Sequence, residues 1–178
     1  MTHQIIMAGF GGQGVMSMGK ILAEAGLKEG KNVSWLPSYG PEMRGGTANC
    51  SVIISDEPIG APTVTEATTA IVMNRPSLDK FEKDVLPGGH LLINSSLIDR
   101  KATRDDINVY YIPANEIADE LGTGKIANMV MLGAFIKVTN AAKEDTIMEY
   151  IAEVFSGKNA DIIPLNKEAL KRGADCIK

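Results

Sequence analysis

The chain has 178 residues, of which 44% are hydrophobic, and a formal net charge of -4; that is enough for one substantial core and short of two comfortable domains, so residues 1–178 are read as a single domain. The acidic balance, without a cluster of Lys and Arg, argues against a nucleic-acid partner. The two cysteines, Cys50 and Cys176, lie far apart and in no Cys-x-x-Cys spacing, which excludes an iron-sulfur cluster or a four-cysteine zinc site on this chain and reads as two reduced thiols of a cytoplasmic protein. The opening residues lack a basic segment followed by a long apolar one, and the longest apolar run, Met129 to Ile136, is broken by Gly133, so neither a signal peptide nor a membrane span is expected.

In chain order, Gln4 to Ala8 is a short apolar run that ends at Gly9, and after the glycines Val15, Met18, Leu22 and Ala25 recur at spacings of three and four. That pattern is strand, tight turn, amphipathic helix. Gly30 stands where a helix C-terminus favours a left-handed residue, and Asn32 to Leu36 then reads as a second strand, completing a Rossmann-like β-turn-α-β opening. Ala48 to Ser55 and Ala70 to Met73 are Val- and Ile-rich strand candidates. The first of them follows a loop and not a helix, so it is free to run antiparallel. Leu78, Phe81 and Val85 mark one face of a short helix ended by Pro87-Gly88-Gly89, and Leu91 to Asn94 and Asn108 to Ile112 supply two further strands. Asn115 to Leu121, Asn128 to Val138, Glu144 to Phe155 and Lys167 to Ile177 fit helices, with Asn166 as the N-cap of the last. The alternation predicts an α/β three-layer sandwich around a mostly parallel sheet. The 128–138 helix has almost no polar face, so it is either central in the core or covered by another subunit.

The sharpest local pattern is Gly9-Phe10-Gly11-Gly12-Gln13-Gly14, a G-x-G-x-x-G between a strand and a helix. Its glycines let backbone approach an anion closely, while the helix N-terminus offers unpaired N–H groups and a positive dipole end. The same glycines equally permit close packing of turn on helix. A dinucleotide site also needs an acid at the end of the second strand for the ribose, and Trp35 to Tyr39 offers none. Gly14 to Ile21 has P-loop spacing but ends in Ile where magnesium binding needs Ser or Thr, and it falls inside the helix. In the loop Ser38 to Thr47, Arg44 can pair with a phosphate or carboxylate of a ligand or partner, or with a group of its own chain. His3 and His90 stand alone, so no metal is expected, and no nucleophile with a base is evident.

Together, Ala8-Gly9-Phe10-Gly11-Gly12-Gln13-Gly14-Val15 and Ser38-Tyr39-Gly40-Pro41-Glu42-Met43-Arg44-Gly45-Gly46, then Asn74-Arg75-Pro76 and Asn128 to Ala134, resemble the gamma subunit, or fused gamma domain, of the 2-oxoacid:ferredoxin oxidoreductases. The resemblance covers nearly the whole chain. It implies a multi-subunit enzyme that converts a 2-oxoacid and coenzyme A to acyl-CoA and CO2. Thiamine diphosphate, Mg2+ and iron-sulfur clusters would sit on partner alpha, beta and ferredoxin-like delta subunits, and ferredoxin would take the electrons. This chain would hold no catalytic residue and be inactive in isolation, where it could form a homodimer. Gly9, Gly11, Gly12, Gln13, Gly14 and Arg44 would contact coenzyme A, another anion or a partner. The Gly-Pro-Glu-Met-Arg-Gly-Gly form looks more like 2-oxoglutarate and branched-chain versions than pyruvate versions, with 2-oxoglutarate favoured. The reading that competes with this resemblance is a self-sufficient NAD- or flavin-binding oxidoreductase domain.

Overall fold

The computed structural model describes residues 1–38, 47–157 and 160–178. Six strands, β1 (Thr2–Phe10), β2 (Asn32–Ser38), β3 (Thr47–Ser55), β4 (Ala67–Val72), β5 (Val85–Asn94) and β6 (Asn108–Ile112), form one sheet in the order β2-β3-β1-β4-β5-β6. Helices α1 (Val15–Lys28), α2 (Arg75–Phe81), α3 (Ala114–Glu120), α4 (Ala127–Thr139), α5 (Glu144–Val154) and α6 (Ile162–Asp175) complete the α/β architecture. β1, β4, β5 and β6 are mutually parallel, and β3 runs antiparallel to both of its neighbours, as a strand reached through a loop can. β3 lies between β1 and β2, so the Rossmann-like opening is split: the strand that follows α1 is one place removed from β1.

The layers on the two faces are unequal. Odd-numbered residues of β1, such as Ile5 and Met7, join α1, α3, α4, α5 and α6 in the larger core, while Ile6 and Ala8 face a smaller one built around Leu78 and Phe81 of α2. α1 ends as the sequence predicts. Gly30 is left-handed at φ 77, its N–H bonds to the Leu27 carbonyl, and the Lys31 N–H reaches Gly26, which closes the open carbonyls at the helix end.

α4 is buried along its length from Ala127 to Ile136, which explains its lack of a polar face: the core of this chain covers it. It lies against α6 at backbone contact. A Cβ on Gly133 would overlap the Leu170 carbonyl, and one on Gly173 would overlap the Val130 carbonyl. Only hydrogen fits there.

Two segments depart most from the sequence reading. The helix after Pro76 ends at Phe81, a 3-10 turn covers Glu82–Asp84, and Val85 already begins β5. Pro87-Gly88-Gly89 therefore does not end a helix but makes a bulge inside a strand, where the β4 register moves from Ala67–Val85 to Thr69–His90. Gly88 is left-handed at φ 81, and its N–H bonds to Asp106 across the sheet edge. Asn166 is not a cap. α6 starts at Ile162, with Pro164 in the first turn where no helical N–H bond is forgone, and the buried Asn166 amide donates back to the Ile162 carbonyl at 3.0 Å.

The long connection from β5 to β6 is held down by the buried Glu82 carboxylate. It accepts from the Thr103 N–H at 2.5 Å, from the Thr103 hydroxyl at 3.1 Å and from Arg100 at 3.0 Å. Burial opposes ionisation, but the Thr103 N–H and the Arg100 guanidinium outweigh it and hold the carboxyl below its usual range.

The α4–α6 contact generates a stability prediction. Gly133→Ala should lower the unfolding free energy by about 3 kcal/mol or more, because the obstructing atom is backbone and cannot change rotamer. Gly60→Ala, where an added Cβ meets nothing within 4 Å, should change it by less than about 0.5 kcal/mol. Urea titration of both variants checks the contrast.

Candidate functional site

β1 leads through α1, on the larger-core face, while β4 leads through α2 on the opposite face. The chain therefore diverges at the carboxyl ends of the adjacent parallel strands β1 and β4, and a crevice at such a divergence is the usual ligand position in open α/β sheets. The glycine turn lies there.

Its geometry is fixed by side-chain amides. The Gln13 Oε1 accepts the Phe10 N–H at 2.6 Å, and its Nε2 points to the Met73 carbonyl at 3.5 Å, while the Gln13 N–H closes the turn onto the Phe10 carbonyl at 3.2 Å. Gly14 caps α1 in the left-handed region at φ 76, and its carbonyl accepts both the Met18 N–H at 2.9 Å and Asn128 Nδ2 at 3.1 Å. A Cβ at Gly14 would meet that same Asn128 amide, which is itself nearly buried. Thus α4 pins the turn from beneath while Gln13 braces it from within.

The first intrahelical bond of α1 is that of Met18, so the N–H groups of Val15, Met16 and Ser17 lie ahead of it at the positive end of the dipole. No acidic residue occupies this first turn. The residues line an open cleft of about 330 Å3 together with Phe10, Gly11, Gly12 and Ala48. Chemically, this end of the helix is suited to an anion or to a partner's carbonyl and carboxylate oxygens.

Beside the turn, Met73 bonds through its N–H to the Ala8 carbonyl at 2.8 Å, and its own carbonyl accepts Asn94 Nδ2 at 3.4 Å. Asn94 also donates to Asn115 Oδ1 at 2.7 Å. Asn74 caps α2 by accepting the Ser77 N–H at 2.9 Å, with Pro76 in the helix's first turn. Asn94 and Asn115 were not singled out from the sequence; they are distant from the turn along the chain and meet it only through the fold.

The structure thus brings Gly9, Gly11, Gly12, Gln13 and Gly14 together. Arg44, with Tyr39 to Gly46, lies outside the described residues. The described flanks of that segment are nonetheless at the turn: Ser38 pairs with Asn49, which pairs in turn with Ala8, and Thr47 pairs with Phe10. β3 also explains the missing ribose acid. The strand beside the turn is antiparallel and presents Thr47, Ala48 and Asn49 there, so among the described residues no carboxylate stands where a dinucleotide fold would place one.

The thiols are not placed for chemistry. Cys50 is buried on β3, its Sγ 3.7 Å from the Val15 carbonyl, and burial pushes its pKa up to about 12. Cys176 is half-buried beyond α6, also with a raised pKa, chiefly from burial. Among the described residues no group of three or more His, Cys, Asp and Glu is arranged to hold a metal, and no helix is long and apolar enough to cross a membrane. His3 and His90 line a separate cavity of about 400 Å3 at the opposite end of the sheet.

Residues 4–176 match the family model described as "Pyruvate ferredoxin/flavodoxin oxidoreductase". The chain belongs to this family. It is 43% identical over 173 residues to "Ketoisovalerate oxidoreductase subunit VorA" of Methanothermobacter marburgensis, covering 97% of this chain and 36% of that one. It is 36% identical over 156 residues to "2-oxoglutarate synthase subunit KorC" of Methanocaldococcus jannaschii, covering 86% of this chain and 83% of the other. The chain thus spans about a third of the length of the VorA relatives it matches. The solved gamma subunit of a keto/oxoacid ferredoxin oxidoreductase from Geobacter sulfurreducens superposes with a TM-score of 0.83 at 28% identity, over 98% of this chain and 97% of that one. The oxidoreductase-family gamma fold is therefore shared along essentially the whole chain.

Two predictions follow from the site geometry. Gly12→Ala, which meets only left-handed strain at φ 93 and open space, should cost about 1–2 kcal/mol; Gly14→Ala adds the collision with Asn128 and should cost more, as read by urea denaturation. For the histidines, burial foremost holds both below the ordinary value of 6.5. Below that value the unfolded chain binds more protons than the folded one, so stability should be full above about pH 6.5 and fall as the pH drops toward the folded values. Melting temperatures across that range should show the fall, and His90→Gln should flatten it.

Proposed function

We propose that the chain is the gamma subunit of a thiamine-diphosphate-dependent 2-oxoacid:ferredoxin oxidoreductase, which converts a 2-oxoacid and coenzyme A to acyl-CoA and CO2. Family membership over residues 4–176 carries this reading, and the names of the relatives support it. The chain is a structural and docking component in the proposal. Its two cysteines cannot ligate a four-cysteine cluster, and no motif of the thiamine-diphosphate type is present in the sequence. Thiamine diphosphate with Mg2+ and the clusters accordingly belong to alpha, beta and ferredoxin-like delta partners, with ferredoxin as electron acceptor.

The role assigned to this chain's own residues is positioning. The N–H groups at the start of α1 present donors to an anionic group, held in place by Gln13 and Asn128, while Arg44 adds a guanidinium from the segment between Ser38 and Thr47, which flank the turn. A phosphate of coenzyme A or an acidic group of a partner fits that chemistry. The first substrate reading, 2-oxoglutarate, comes from the Gly40 to Gly46 motif and the KorC-named relatives. The identity of 43% to a VorA-named relative favours a second, ketoisovalerate.

Anaerobic purification of the tagged chain from its host, with mass spectrometry and ferredoxin-coupled assays on 2-oxoglutarate, ketoisovalerate and pyruvate, tests the assignment. The expected result is recovery with a thiamine-diphosphate subunit and coenzyme-A-dependent activity on one of the first two substrates. Arg44→Ala should raise the KM for coenzyme A about ten-fold, equivalent to about 1.4 kcal/mol of lost binding, with kcat little changed. An unchanged KM and intact assembly would remove Arg44 from the proposal while leaving the family in place. Calorimetry of the isolated chain with NAD or flavin should remain silent at millimolar ligand; micromolar binding would favour the self-sufficient dinucleotide reading.

A further inference from the structure

The six strands contain no Asp, Glu, Lys or Arg, in a chain that is 22% charged. For most of the sheet this is explained by burial: helices cover one face, and on the other α2 packs over β4 and β1, with Ile98, Ala102 and Ile107 of the β5–β6 connection joining the smaller core. β2 and the adjoining part of β3 are different. Alternation and register put Ser34, Leu36, Ser38, Thr47, Asn49 and Ser51 on the side away from α1. No helix among the described residues packs over them on that side. Leu36 is 39% exposed, and Phe10, at the same end of the sheet, is 40% exposed.

β2 is also an edge strand, and it too lacks charge. Exposed edges are ordinarily blunted by charged side chains, and depletion of charge with apolar anchors marks the core of a protein–protein interface. A surface of hydroxyl and amide groups with two large apolar side chains suits another uncharged protein surface. It is a poor site for an acidic or basic peptide.

We infer that this open face of β2 and β3 is the seat of the polypeptide that corresponds to the rest of the VorA relative. That relative contains this domain as only 36% of its length, so a larger protein part accompanies the domain there in cis. The face is continuous with the candidate site, because Phe10 and Thr47 are register partners. An occupant of it abuts the glycine turn. The inference rests on the proposed assembly and adds which surface makes the contact.

The probe is the host polypeptide whose sequence matches the part of the VorA relative beyond this domain, co-expressed with the tagged chain. Leu36→Glu and Ser51→Lys place charges in the middle of the face, Ser34→Lys places one near its end, and Lys171→Glu, at an exposed position of α6, is the control. Wild type and control should co-elute with the probe, and the face variants should retain at least about ten-fold less of it at unchanged melting temperature. If Leu36→Glu proves unstable, the two serine variants decide. Co-elution of the wild type with undiminished co-elution of folded face variants would overturn the inference and leave the assembly reading intact. Failure of the wild type to bind the probe would overturn both. A homodimer that the face variants dissociate, without affecting the probe, would assign the face to a second copy and overturn the inference.

Discussion

The backbone contact between α4 and α6 is the constraint on which the functional end of the molecule depends. α4 has no polar face, so it must be covered on all sides, and glycine at 133 and 173 allows α6 to close over it at backbone distance. That closure fixes α4 against the sheet, and with it the position of Asn128 near the start of the helix. Asn128 then supplies a hydrogen bond to the Gly14 carbonyl. The glycine turn is therefore held in part by packing from the second half of the chain, and its left-handed cap is stabilised by more than its own flexibility.

The second organising feature is β3. By entering between β1 and β2 in the antiparallel sense, it takes the position that the second strand of a dinucleotide fold would occupy. The G-x-G-x-x-G turn keeps the backbone freedom and helix dipole of an anion site, but among the described residues the strand beside it carries no acid to recognise a ribose. The same insertion sets Ser38 and Thr47, the residues that flank 39–46, beside the turn. A local sequence motif thus sits beside a different strand here from the one it meets in the dinucleotide arrangement, a difference that the order of the strands sets.

Much of the fold was legible because periodicity and turn residues act locally. The strand-turn-helix opening, the Gly30 terminator, the antiparallel third strand and the four late helices all follow from patterns within a few residues. The errors have the same origin. Pro87-Gly88-Gly89 carries the signature of a terminator, and only the pairing of β5 with β4 and the cross-sheet bond to Asp106 make it a bulge. Asn166 has the chemistry of a cap, but Pro164 supports an earlier start, leaving Asn166 inside the helix. At the site, the glycines and Gln13 were legible as a turn, whereas the links from Gln13 to Met73, Asn94 to Met73 and Asn128 to Gly14 join distant segments and required the tertiary structure.

The two ends of the sheet also differ in how they respond to protons. The described contacts that hold the glycine turn are between backbone groups and the neutral amides of Gln13 and Asn128, with Asn94 and Asn115 beside them. Amides do not titrate in the ordinary range, so these hydrogen bonds retain their donors and acceptors when the pH changes. At the other end, His3 and His90 are half-buried and favour their neutral forms. Protonating these histidines as the pH falls therefore costs stability at a place remote from the turn. The described donor geometry of the turn, by contrast, is built from parts that keep their charge state.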